Sequence, residues 1–108
     1  MATSIVPVPN WTARRRMAPK RVIEDLSRIP GVGPSLAADL YLVGIHEVAE
    51  LRGKNPEKVY DQLCTQVGSR VDRCVLYVFR CAVYYASEPR PDPEKLKWWN
   101  WKDQAASC

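Results

Sequence analysis

The residues best suited to meet an outside molecule are two closely spaced glycines. Gly31 and Gly33 stand in "IPGVGP", boxed in by Ile29, Pro30, Val32 and Pro34. Glycine takes positive φ without penalty and lets another molecule come close to the backbone. A helix starting at such a turn offers unpaired N–H groups and a partial positive charge. That suits an anion, such as a phosphate of a nucleic acid. The same six residues also suit a structural turn that only folds one helix back on the next. A second turn, "QVGSR" from Gln66 to Arg70, has one glycine, Gly68, with Arg70 and Arg73 close behind.

Other chemistries find less support. The acidic residues form no pair fit for acid–base work, and His46 is the only histidine. It reads as a cap or surface residue rather than a catalyst. No Ser-His-Asp arrangement, phosphate-binding P-loop or C-x-x-C pair is visible, so neither an enzyme, a metal site nor a cofactor is expected. Cys74 and Cys81 are seven apart on the expected fifth helix, about 10 Å along its axis. That is too far for a disulfide. Cys64, Cys74 and Cys81 read as small core residues and Cys108 as a terminal thiol.

Trp98, Trp99 and Trp101 cluster within four positions, flanked by Lys95, Lys97 and Lys102. Two readings apply: core packing with solvated lysines, or an interface with aromatic hot spots. One tryptophan could serve each. Arg73, Tyr77, Arg80 and Tyr84 fall on one helical stripe. They could grip a backbone and stack bases. The simpler reading is a solvated or tail-covered helix face, with arginine stacked on tyrosine.

Helices must position these groups. The first runs from about Lys20 to Arg28, with Val22, Ile23 and Leu26 as its apolar face. Pro30 forces Ile29 into extended geometry and ends it. Pro34 suits the first turn of a second helix, which runs to about Val43 and stops at Gly44. A short third helix spans about His46 to Arg52. Asn55 and Pro56 open a fourth with a good cap and first position. The fifth, about Arg70 to Ser87, is apolar over so wide a surface that it must be central. "EPRPDP" is a stiff linker, and "EKLKWWNWKD" forms a short helix or turn. A helix, a glycine turn and a helix occur at 20–43 and again at 56–87. No strand signal appears, so the fold class is all-α with five or six short helices.

The 108 residues suit one domain. Three parts are expected: a flexible basic arm at 1–19, the helical domain at 20–87, and a Trp-rich segment at 88–108 packing on it. The net charge of +4 sits mostly in the first 25 residues, which carry +3. The folded part is near neutral, without a strongly basic footprint. Trp11 is the arm's one large anchor, and Arg14, Arg15 and Arg16 could add electrostatic affinity for DNA. No apolar run is long enough to span a bilayer and no signal peptide is visible. A cytoplasmic protein with no membrane association is the expectation.

"LSRIPGVGPSLAADL" resembles a helix-hairpin-helix motif. "LVGIHEVAELRGKNPEKVYDQL" resembles the five-helix arrangement in which two such hairpins pack together, with "QVGSR" as a degenerate second hairpin. From about Val22 to Asp103 the chain is similar to a small bacterial family described as "pathogenicity locus", some of whose members are named mitomycin resistance proteins. "DRCVLYVFRCAVYYAS" and "PDPEKLKWWNWKD" carry the most specific part of that likeness. The resemblance implies a tandem helix-hairpin-helix, SAM-like domain that contacts DNA backbone without strong sequence preference, with a link to DNA repair or drug resistance. It implies contacts through the turn residues Gly31, Val32, Gly33, Ser35 and Leu36, with Arg28 nearby, and through Gly68, Arg70 and Arg73. Such hairpins often carry Lys or Arg soon after the second glycine. Here Pro34, Ser35, Leu36 and Ala37 follow, and then Asp39. The alternative is a protein-interaction or scaffold domain, with Trp98, Trp99 and Trp101 as contact surface for a partner or a second copy.

Overall fold

The computed structural model describes residues 14–102. Trp11 and Cys108 lie outside them, as does most of the expected arm. The architecture is all-α, with no strand among the described residues. Four helices form the frame: α1 (Lys20–Leu26), α2 (Pro34–Leu42), α3 (Pro56–Val67) and α4 (Arg73–Ser87). Three 3-10 turns complete it: η1 (Val48–Leu51), η2 (Pro93–Leu96) and η3 (Trp98–Trp101).

The helix boundaries follow from local chemistry. Asn55 accepts the N–H groups of Glu57 and Lys58, and Pro56 occupies the first position of α3. That is the expected cap. Helix α4 begins three residues later than the apolar pattern suggests. Asp72 sets the boundary by accepting the Cys74 N–H at 3.0 Å. The expected third helix is only the 3-10 turn η1. Its Val48 N–H is capped by Asp25 of α1 at 2.8 Å.

Helix α4 is the central element. Leu76, Tyr77, Val78 and Phe79 are four consecutive residues and all are buried. Consecutive burial requires neighbours on several sides. Those neighbours are α3, η1, η2 and η3, while α1 packs on α2 and α2 on α3. Leu26, Ile29, Leu40, Leu51 and Leu63 fill the space between them.

Cys64 and Cys81 are free thiols, but Cys74 is disulfide-bonded, contrary to the expectation of an unbridged chain. Burial pushes the Cys81 thiol up to about 11. The nucleophile is the thiolate, so Cys81 is inert while the chain is folded. A thiol reagent at pH 8, with the labelled site mapped by peptide, should reach Cys81 only on unfolding; prompt labelling of Cys81 itself in the native protein would contradict its burial. No helix among the described residues is long and apolar enough to cross a membrane.

Candidate nucleic-acid interface

The Ile29–Pro34 turn is anchored from below and open above. Ile29 and Val32 are buried side chains that plug it into the core. The Val32 N–H closes the turn on the Ile29 carbonyl at 3.0 Å. Gly31 holds φ +87°, which disfavours any side chain. Trp98 lies directly against it: a Cβ on Gly31 would sit 2.9 Å from Trp98 Cδ1. The tail therefore braces the turn at its first glycine.

Gly33 is different. Its φ of −97° and ψ of −173° are ordinary extended backbone. A Cβ there would meet nothing within 4 Å. Neither conformation nor packing among the described residues calls for glycine at this position. Gly33 caps α2 without a side chain, and Pro34 follows. The first turn of α2 therefore points its N–H groups outward from an exposed surface around Gly33 and Ser35.

The cation beside this opening comes from an unexpected direction. Residues 14–16 form a helical turn. Arg15 reaches Ser35 through Nη2, donating to Oγ at 2.9 Å and to the carbonyl at 3.1 Å. Its Nε lies 2.8 Å from Asp39 Oδ1. Arg14 donates to the Leu42 carbonyl and to Gln66 Oε1, both at 2.9 Å. Arg14 and Arg15 thus lie against α2. Arg28, the nearest cation in sequence, is tied to Asp25 at 2.9 Å in an exposed pair. Burial pushes the Asp39 carboxyl above its ordinary value, against the pull of Arg15.

The second turn is built otherwise. Gly68, at φ +75°, is the C-terminal cap of α3, and its N–H closes on the Cys64 carbonyl at 2.9 Å. The start of α4 already holds an anion, the Asp72 carboxylate. A phosphate there would meet a like charge. Arg70 and Arg73 line a separate open groove of about 550 Å³ with Tyr60, Cys64 and Ser69. The two turns are not equivalent sites.

The profile of the family described as Pathogenicity locus matches residues 19–107. The chain belongs to that family. Mitomycin resistance protein McrB of Streptomyces lavendulae is 32% identical over 77 residues, covering 71% of this chain and 70% of that protein. No solved structure matches the chain. The Pathogenicity locus match includes both turns and Trp98, Trp99 and Trp101, whereas Arg14, Arg15 and Arg16 precede it.

In this family member the Trp-rich segment is mostly a structural brace. Trp98 and Trp101 pack against the core. Trp101 stacks on Tyr84 at 5.5 Å and donates its indole N–H to the Lys95 carbonyl at 2.7 Å. Arg80 pairs with Glu57 at 2.8 Å and donates to the Trp101 carbonyl at 2.7 Å. Tyr77 is buried beneath it. The Tyr77, Arg80 and Tyr84 part of the stripe is thus covered by the tail, the simpler of its two sequence readings. Trp99 stands apart, 50% exposed and edge-on to Trp98 at 5.8 Å. Among the described residues no three His, Cys, Asp or Glu side chains group as a metal site.

Proposed function

We propose that this domain binds nucleic-acid backbone through the Ile29–Pro34 turn, without strong sequence preference. One observation carries the reading. Among the described residues neither a positive φ nor close packing requires glycine at Gly33, whose Cβ position is empty, and its role as the α2 cap is one that Ser, Asn or Asp fill as well. What a side chain there would obstruct is an approach from outside. The groups on offer are outward N–H donors at the start of a helix, which favour an anion. A contact of this kind positions the protein on a phosphate and reads no base. The second turn contributes less, because Asp72 fills the matching position.

Labelled duplex and single-stranded DNA, titrated at low and moderate salt, test the proposal. Binding at micromolar protein in low salt, weakening steeply as salt rises, is expected. No binding to either form in low salt overturns it. The mitomycin-resistance name belongs to the Streptomyces relative. A role in drug resistance or DNA repair for this chain is an extension of the proposal from that name.

A second reading, a protein-interaction domain, draws on Trp99. A half-exposed tryptophan beside a rigid brace has the character of an interface hot spot. A second copy is its simplest partner. Sedimentation of the protein and of Trp99→Ser separates the cases. A dimer lost on substitution supports this reading, and a monomer at all concentrations counts against it.

A further inference from the structure

The hairpin sequence lacks the cation that would hold a phosphate, yet a cation stands at its mouth. Ser35 occupies the second position of α2, and the Arg15 guanidinium is bonded to both its hydroxyl and its carbonyl. Asp39, one helical turn further on, forms an ion pair with Arg15, its Oδ1 2.8 Å from Nε. An arginine held at two points on one helix face has a fixed direction, unlike a lysine on a flexible stem. The pair is also more than a surface accident: 28% of the Arg15 side chain and 17% of the Asp39 side chain are exposed. Within this pair Arg15 favours the ionised Asp39 carboxylate and offsets part of its desolvation. Burial raises the Asp39 carboxyl despite Arg15, so the folded chain holds that proton more tightly than the unfolded chain. Ionised Asp39 therefore weighs against folding at neutral pH, and the penalty fades as the pH falls.

We propose that Arg15 is the phosphate-contacting cation of the Ile29–Pro34 turn, delivered from the N-terminal arm and aimed by Asp39 as its positioning residue. The inference rests on the nucleic-acid reading of that turn and adds the group that neutralises the phosphate. It also gives the acidic residue after the turn a role. Asp39 looks repulsive to DNA in sequence, but its charge is turned on Arg15.

Arg16 supplies the control. It has the same charge, sits one residue away and is exposed. If only the net charge of the arm mattered, Arg15→Ala and Arg16→Ala would weaken DNA binding equally. An aimed Arg15 predicts about tenfold weaker duplex binding for Arg15→Ala, with the salt slope shallower by about 0.9, the value of one lost phosphate contact. Arg16→Ala should cost less than about twofold, the weak effect of an exposed, screened charge. Asp39→Asn should weaken binding when Arg15 is present and strengthen it in the Arg15→Ala background, where Asp39 is only a like charge. Thermal melts check that each variant folds.

The outcomes separate cleanly. If the wild-type protein binds no DNA in low salt, the hairpin reading falls and Arg15's role falls with it. If the wild type binds but Arg15→Ala and Arg16→Ala lose equally, the proposal for Arg15 alone is overturned. Strengthening by Asp39→Asn in both backgrounds overturns the positioning role of Asp39.

Discussion

Gly31→Ala should cost about 3 kcal/mol of folding stability, roughly a third of what a small domain holds. Two separate penalties combine. An L-residue at φ +87° gives up about 1–2 kcal/mol of backbone preference. The new Cβ also lands 2.9 Å from the Trp98 ring, so the ring must move. Displacing Trp98 loosens the brace it forms on the core, and overpacking of this kind costs about 1–3 kcal/mol. A thermal melt should show a drop of about 15 °C. Tryptophan emission should shift to the red in the folded baseline. The double variant divides the penalties. In a Trp98→Ala background, Gly31→Ala should cost only the backbone part, about 1 kcal/mol. Equal costs in both backgrounds would show that Trp98 does not press on Gly31.

Arg80→Met should destabilise the domain by about 2 kcal/mol and release the C-terminal turns. Methionine keeps the unbranched apolar stem of arginine, so the change chiefly removes the guanidinium. That group joins α4 to Glu57 of α3 and to the carbonyl of Trp101. It also lies over the Tyr77 ring at 5.6 Å. Charge-assisted hydrogen bonds of this kind contribute about 1.5–3 kcal/mol each. Glu57 is half exposed and returns to water, which limits the loss. Limited chymotrypsin digestion reads the release directly. Cleavage at Trp98, Trp99 or Trp101 should be slow in the wild type and fast in Arg80→Met. Unchanged digestion would mean that Trp101 and Tyr84 hold the tail without Arg80.

The sequence signals that survived are those written in neighbouring residues. Asn55 and Pro56 announce the start of α3, and the structure places the cap there. Pro30 and Pro34 bracket the turn that separates α1 from α2. The width of the apolar surface on α4 foretells its central place, because side-chain period reports burial. The apolar pattern extended α4 back to Arg70. Asp72 ends that extension by capping the helix, a choice between two local hydrogen-bond patterns that periodicity does not weigh. Likewise η1 owes its capped first turn to Asp25, 23 residues earlier.

The site was legible only in part, for the same reason. The two glycines looked alike in sequence. One is required by φ and faces Trp98, while the other is free of both demands. That distinction depends on a residue 67 positions away in the chain. Charge balance along the chain sets Arg15 in a separate arm and Asp39 beside the turn. In space they are one ion pair at the turn's mouth. Contacts between distant segments carry no local period, so pattern reading passes over them.

Gly33→Ala tests the central claim most directly, since it separates binding from folding. The backbone at residue 33 is open to any side chain, and among the described residues a Cβ meets nothing within 4 Å. Stability should change by less than about 1 kcal/mol, the cost of replacing a glycine cap by alanine. Affinity for labelled duplex DNA in low salt should fall about tenfold, because the methyl group blocks one charge-assisted contact of the backbone with phosphate. A variant that melts with the wild type and binds DNA equally well would contradict the account.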